Sequence, residues 1–349
     1  MLTLKKREIA IFSDIHLGVH HNSKFWHDVS LSWAKWFIED LKNKGIEDII
    51  FCGDYFHTRD EVSVDTLHFG SKLLELFKDF NLIMIVGNHD CFLKDSAEVN
   101  SISSYSNWKN ITVIDKTLSI EAFGKKINFI PWGVKLEEIP EADITFGHFE
   151  INLFKMKTYA LCDDGFVAED LLKKSELIVS GHFHLMDDRK YSDGRIIYVG
   201  NPFQMDFNDS GTTKGYYTLD LQNGDTFFTE NTFSPKHFNI SLSYLLSENT
   251  LTDKVKNKIK DNLVKLKIDR RISPDDMEFL INVLKGLKPI DLNVEYETNS
   301  SEYALDDENL DLSGIDIQQA IIEFIDTLDA NNKKDLIQYT VDLYNRLSK

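Results

Sequence analysis

Two kinds of hydrophobic pattern alternate along this chain. Short continuous apolar runs at residues 9–12, 49–52, 82–86, 144–146 and 178–179 each end in a turn led by glycine or serine. Such runs read as strands buried on both faces, and strands of that kind belong to sheets covered by helices. Between the first three runs lie longer stretches of helical period. Residues 25–44 set Trp33, Trp36, Phe37 and Leu41 on one side and stop at Gly45, and residues 63–80 carry Leu67, Leu74 and Phe77 at helical spacing. Residues 9–90 therefore predict strand, helix, strand, helix, strand, joined by right-handed crossovers.

Beyond residue 110 the elements shorten. Residues 111–114, 118–123 and 127–130 read as strands, the last two separated by a Gly124-Lys125-Lys126 turn as in a hairpin. Further strands are expected at 195–199, 215–221 and 226–229, giving an α/β body of two β-sheets flanked by helices over residues 1–235. Then the character changes. Residues 252–261 set Val255 and Ile259 on one helical face with Lys254, Lys256, Lys258 and Lys260 around the rest, and residues 264–268 alternate as a half-exposed strand. Ser273 caps a further helix, with Pro274 at its first position and Asp275 and Asp276 in its first turn. With a strand at 292–296, residues 236–296 form a small α/β capping domain. Residues 297–311 are polar and acidic, as a linker is. Two amphipathic segments close residues 312–349 as a helical hairpin, marked by Ile317, Ile321, Phe324 and Leu328, then by Ile337, Val341 and Tyr344. It either docks on a partner or folds back on the body.

Composition narrows the class. With 349 residues, 42% of them hydrophobic, the chain can fill a sizeable core plus a smaller module. Neither a membrane span nor a secretory signal is expected, because Lys5, Lys6, Arg7 and Glu8 precede only four apolar residues before Ser13. A soluble, cytoplasmic protein follows. Cys52, Cys91 and Cys162 are too widely separated to suggest a disulfide framework or a structural zinc site. The formal charge of −18 speaks against a nucleic-acid partner until its distribution is considered. Residues 1–235 carry −12, residues 236–292 carry +3 and residues 293–349 carry −9. Bound dications would offset part of the first value and the capping segment is locally basic, so net charge does not decide the partner.

The chemistry sits at the strand ends. They carry Ser13-Asp14-Ile15-His16, Gly53-Asp54-Tyr55-Phe56-His57, Gly87-Asn88-His89-Asp90, Gly147-His148 and Gly181-His182-Phe183-His184. Ligands of open α/β sheets gather at the carboxyl ends of strands, and Asp, Asn and His suit a hard or borderline dication. Residues two apart on a strand share a face, so Asp14 with His16, and His182 with His184, read as pairs able to reach one ion. One such pair is weak evidence; five furnished strand ends in one chain are strong.

This ordered series resembles the DxH, GDxxH, GNHD, GH and GHxH motifs of the calcineurin-like metallophosphoesterases, over about residues 8–235. The resemblance implies a four-layer fold and a two-ion site, with Asp14, His16 and His184 on one ion, Asn88, His148 and His182 on the other, and Asp54 bridging both. Two dications about 3.5–4 Å apart can hold the attacking and leaving oxygens of an in-line phosphoryl displacement, and coordination lowers the pKa of water. His89 is left over as a ligand, free to stabilise charge on the phosphate or protonate the leaving oxygen. Asp90 is then expected to orient it by a hydrogen bond. His57 is similar to the histidine that nucleases of this superfamily place near the substrate, or it makes a structural hydrogen bond. His20, His21, His27, His68 and His237 lie outside the motifs and read as surface or packing residues.

Further along, Tyr198-Val-Gly-Asn-Pro-Phe203 resembles the YxGxP segment of the SbcD family, the nuclease subunits of the SbcCD and MRN complexes. Ile130-Pro-Trp132, the compact length and the final helical pair are especially similar to the recombination nuclease subunits of tailed phages. That resemblance implies a metal-dependent DNA nuclease, exonuclease or endonuclease, working with an SMC-like coiled-coil ATPase in double-strand-break processing. The cap would seat DNA, residues 312–349 would bind the ATPase, and the chain would form a homodimer, in the host cytoplasm if phage-encoded. Three or more histidines favour Mn2+ over Mg2+. Two other readings stand beside it. A small-molecule or cyclic-nucleotide phosphodiesterase would make residues 236–349 surplus, and a DNA-bridging scaffold would have no use for the intact ligand set.

Overall fold

The computed structural model describes residues 2–157, 160–247 and 252–296, with residues 322, 325, 333, 334, 337, 338 and 340 of the C-terminal segment. The chain divides into two compact units, Met1–Glu297 and Thr298–Lys349.

Two six-stranded sheets form the body. The first runs β14 (Thr226–Glu230), β13 (Gly215–Asp220), β1 (Glu8–Phe12), β2 (Asp48–Phe51), β3 (Asn81–Ile85), β4 (Ile111–Ile114), with β1 to β4 mutually parallel. The second runs β11 (Asp187–Tyr191), β12 (Gly194–Tyr198), β10 (Ser175–Gly181), β7 (Ala142–His148), β6 (Lys125–Ile130), β5 (Leu118–Ala122), with β12, β10, β7 and β6 parallel, while β8 (Lys155–Lys157) and β9 (Ala160–Leu161) pair apart from it. The period-2 alternation of each strand sorts its side chains between two cores. From β1, Ile9 and Ile11 face the second sheet, where they join Phe129, Phe146 and Val179 in an apolar inter-sheet layer. Ala10 and Phe12 face outward onto Trp33, Phe37 and Leu41 of the Lys24–Lys44 helix and Leu73 and Leu74 of the Val64–Glu75 helix. The second sheet's outer face is covered more thinly, by the Ala168–Leu172 helix and by loops bearing Phe149 and Phe154. Helices, sheet, sheet and a slighter outer layer make up the four layers.

Two local readings are corrected and one strand is added. Leu67 is 43% exposed; the buried face of its helix is Thr66, Gly70, Leu73 and Leu74. The β5–β6 hairpin turns on Phe123 and Gly124, with φ of 52° and 76°, so Lys125 and Lys126 lie in the strand. A two-residue turn with both φ positive matches the twist of its strands. Asp187–Tyr191, entirely polar, is a strand at the sheet edge, where charge discourages pairing with other chains.

The cap is a three-stranded parallel sheet, β15 (His237–Ser241), β16 (Leu263–Ile268), β17 (Asp291–Tyr296), packed on the Asp253–Ile259 and Pro274–Gly286 helices through Val255, Ile259, Leu266, Met277 and Leu284. Thr252 and Ser273 cap those helices through their hydroxyls. His237 ties the cap to the body. Its ring stacks on Trp26 at 5.6 Å and meets Phe207 edge-on at 4.9 Å, while its backbone N–H donates to Gln204 Oε1 at 2.6 Å.

The expected linker at 297–311 lies outside the described residues, as do Ile317, Ile321, Phe324, Leu328, Val341 and Tyr344 of the expected hairpin. The described positions after it, among them a buried Ile325, are helical. No described helix is long and apolar enough to cross a membrane.

Candidate metal centre

The carboxyl ends of β1, β2 and β3 in one sheet and of β7 and β10 in the other point into the same cleft, and all ten site residues expected from the sequence lie at or beside it. Backbone hydrogen bonds hold the tips together: Asp14 N–H donates to Gly53 O at 2.9 Å and His16 N–H to Asp54 O at 3.1 Å. Neither Asp14 nor His16 is in strand conformation. Their φ values of 54° and 46° are left-handed, so the two side chains meet through a turn and not through strand alternation. Gly87 is required here, since a Cβ would lie 2.3 Å from Asp54 Oδ1.

Three sets of donor atoms each lie within 4.8 Å: Asp14, His16 and His184 form one group, Asp54, His148 and His182 a second, and His16 also lies within that distance of His57 and His89. His182 and His184, paired on one ion by strand alternation, thus belong to different groups, as the family motifs imply. His16 Nε2 and His184 Nε2 face each other at 2.9 Å. In the second group Asn88 Oδ1 lies 2.8 Å from His148 Nε2 and 3.0 Å from His182 Nδ1. Asp54 reaches both groups: Oδ2 is 3.6 Å from His16 Nε2 and Oδ1 is 3.4 Å from His148 Nε2.

The electrostatics match a place for cations. Burial pushes the Asp14 carboxyl up to about 7. Asp54 goes the other way: burial works to raise it, but His148, His16 and His89 hold it far below the usual carboxylate range. Burial drives His16 and His182 down and His184 to about 4, so these rings are neutral and offer lone pairs. Burial also opposes charge on His148, yet Asp54 and Asp14 raise it to about 9. Its proton stands where a dication would sit, and binding a metal would release it. The Nδ1–H of His148, 2.7 Å from Cys52 O, leaves Nε2 for the ion. Asp, Asn and neutral His converging in a buried cleft fit divalent ions.

His89 and His57 line the opening. His89 Nδ1 is 2.6 Å from His57 O, which fixes the ring with Nε2 outward, and the two imidazoles lie 5.7 Å apart, nearly parallel. Asp90 does not orient His89. Its carboxylate accepts four backbone N–H groups, from Asp54 at 3.0 Å, Tyr55 at 2.9 Å, Phe56 at 3.2 Å and Gly87 at 3.0 Å, tying the β2 tip to the β3 tip. His57 Nδ1 is buried without a hydrogen-bond partner, so the structural hydrogen bond weighed for it is absent at that atom.

Several participants were not legible in the sequence. Buried Lys214 donates to His184 O at 2.7 Å and to Asp209 at 2.6 Å, fixing the backbone of the β10 tip from a loop thirty residues on. Trp132, noted in the sequence only as part of Ile130-Pro-Trp132 and not as a site residue, packs its ring 5.1 Å from that of His182. Glu150 lies 3.9 Å from His182 Nε2, and its place two residues after His148 was the one available signal.

Among solved structures, a novel archaeal phosphodiesterase is similar at 17% identity and a TM-score of 0.37, over 64% of this chain and 99% of that one. The anchor in the inner membrane complex of Plasmodium is similar at 15% identity and a TM-score of 0.42, over 65% and 85%. No curated protein matches the chain. Residues 7–186, about half the chain, match the family model described as calcineurin-like phosphoesterase, a family that uses divalent metals in phosphoester hydrolysis. The chain therefore belongs to the calcineurin-like phosphoesterases.

Proposed function

We propose that the chain is a two-metal DNA nuclease that works as a homodimer with an SMC-like coiled-coil ATPase in double-strand-break processing. The observation that carries the hydrolytic reading is Asp54, whose two oxygens face one donor group each. Asp14, His16 and His184 would hold one ion and Asn88, His148 and His182 the other, with Asp54 shared. Ions held there, Mn2+ for preference given the histidines, supply charge neutralisation at the phosphoryl group and water of lowered pKa. The chain's own residues do the rest. His89, fixed at Nδ1 by the His57 carbonyl, presents Nε2 to protonate the leaving oxygen, and His57 flanks it. Asp90 acts as a positioning residue through the backbone it gathers.

The nucleic-acid part of the reading is supported by the resemblance to SbcD-type nucleases and by the cap, where Lys254, Lys256 and Lys260 are exposed around the Asp253–Ile259 helix. One observation favours the second reading, a small-molecule phosphodiesterase. A cavity of about 410 Å³ opens beside His148, where Trp132, Val134, Leu136 and Phe166 offer apolar surface among the charged Asp95, Lys135, Glu137 and Glu150, of a size suited to the organic group of a small diester. Hydrolysis of linear duplex DNA beside bis-p-nitrophenyl phosphate, with Mn2+, tests the two. Cleavage of both supports the nuclease; cleavage of the small ester alone supports the second reading.

Substituting His89→Gln is expected to lower kcat on DNA about a hundredfold or more, with metal content and DNA affinity retained. An unchanged rate removes His89 from the mechanism. Deleting residues 312–349 is expected to abolish co-purification with the ATPase subunit while hydrolysis of bis-p-nitrophenyl phosphate persists. Continued co-purification rejects the docking role.

A further inference from the structure

We infer that the cavity beside His148 is a pocket for a nucleobase, the base of the nucleoside esterified to the phosphate at the metal centre. The inference rests on the phosphodiester-hydrolase reading proposed above and goes beyond it by naming the group next to the scissile bond. It holds whether that diester belongs to DNA or to a nucleotide.

The cavity and the metal centre share a wall. His148 lines the cavity, and Nε2 of the same ring faces Asp54 Oδ1 at 3.4 Å. One substituent of a diester held at the ions therefore enters the cavity directly. The walls stand ready without a ligand. Trp132 N–H donates to Val86 O at 2.9 Å and its indole Nε1–H to Lys94 O at 2.8 Å. Phe166 N–H donates to Glu150 O at 2.8 Å, and the Phe166 carbonyl accepts from Asn152 N–H at 2.9 Å. Gly165, at φ 88°, brings that loop so close that a Cβ would lie 2.3 Å from Glu150 O. Pockets for small organic groups are of this preformed kind.

The lining selects the group. Val134, Leu136 and Phe166 pack on the outer core of the second sheet yet are only half-buried, so part of their apolar surface is left uncovered. Trp132 and Phe166 supply two aromatic rings, and stacking on such rings suits any base. The charged groups exclude more. Asp95, Glu137 and Glu150 outnumber Lys135, which disfavours a second phosphate or any other anion. Carboxylates accept N–H groups instead. A neutral, planar group with N–H donors along its edge is a nucleobase; guanine offers a carboxylate two adjacent donors, and thymine one. Within a duplex a base enters such a pocket only by leaving its stack, so the form received is a terminal, unpaired or extruded nucleotide.

Turnover of two p-nitrophenyl esters by the full-length, Mn2+-loaded protein tests this. The p-nitrophenyl ester of deoxyguanosine 5′-phosphate carries a base; methyl p-nitrophenyl phosphate does not. Native protein should favour the nucleoside ester in kcat/KM by about tenfold or more. Val134→Phe, which fills the cavity, and Phe166→Leu, which removes a ring but keeps an apolar wall, should each lower that ratio severalfold with Mn2+ content equal to native. Phe166→Tyr should restore it. Glu137→Gln should narrow the preference for the deoxyguanosine ester over the thymidine ester. A nucleoside-to-methyl ratio near one in the native protein, or one that neither Val134→Phe nor Phe166→Leu changes, overturns the pocket while leaving metal-dependent hydrolysis intact. Turnover of neither ester overturns the hydrolase reading as well. Single-stranded oligonucleotides carrying one abasic residue distinguish the sources of the base. Cleavage beside that residue reduced in native protein but not in Val134→Phe assigns the base to DNA; undiminished cleavage, with a base-dependent rate on the nucleoside ester, assigns it to a free nucleotide.

Discussion

Replacing Asp54 with asparagine is expected to lower phosphodiester hydrolysis by roughly a thousandfold or more, the largest effect of any single substitution in the cleft. The carboxylate is 1% exposed and approaches both donor groups, through Oδ2 toward His16 and Oδ1 toward His148. An amide at this position keeps the shape but loses the charge, and it offers one oxygen where two cations need a shared anion between them. Oδ1 also accepts the His89 backbone N–H at 2.8 Å, so the asparagine oxygen can keep that bond only by abandoning a metal. Turnover of bis-p-nitrophenyl phosphate, read beside metal content after dialysis, checks the prediction. A variant that keeps a tenth of native turnover with two ions bound would exclude Asp54 as the shared ligand. Thermal unfolding of the EDTA-treated variant separates loss of chemistry from loss of fold.

The second large effect is on stability and falls on Asp90. Asp90→Ala strands four buried N–H donors, those of Asp54, Tyr55, Phe56 and Gly87. One unsatisfied buried donor costs about 1–3 kcal/mol, so a loss of about 4 kcal/mol or more is expected even after water and backbone movement recover part of it. Asp90→Asn keeps one acceptor oxygen and should lie between native and alanine. Because the four donors belong to the turns that present Asp54 and Asn88, hydrolysis should fall along with stability. Urea unfolding of the metal-free proteins gives the measurement, and a difference below about 1 kcal/mol between native and Asp90→Ala would show that the carboxylate does not hold the two tips together.

Asp90 also illustrates how a residue singled out from the sequence can be given the wrong partner. Its adjacency to His89 suggested a direct hydrogen bond, whereas the chain turns so that the carboxylate looks back at β2 while His89 is held by a carbonyl from 32 residues earlier. The DxH and HxH pairs show the same limit. Spacing of two suggested one face of a strand, but strands end before these residues, and Asp14, His16 and His182 adopt φ of 54°, 46° and 94°.

What the sequence determined by itself was whatever is written in local period and local chemistry. Continuous apolar runs specified strands buried on both faces, the Gly45 stop and the Ser273-Pro274 start bounded helices, and the polar tip of each run supplied the donor atoms, because each of these depends on residues a few positions apart. The tertiary structure alone decided how the donors are grouped. His16 meets His184 across 168 positions and Asn88 meets His182 across 94, contacts made by bringing the strand ends of two sheets to one cleft. It likewise decided the support that Lys214 gives beneath His184, which carries no sequence signal because what makes it matter is a neighbour remote in the chain.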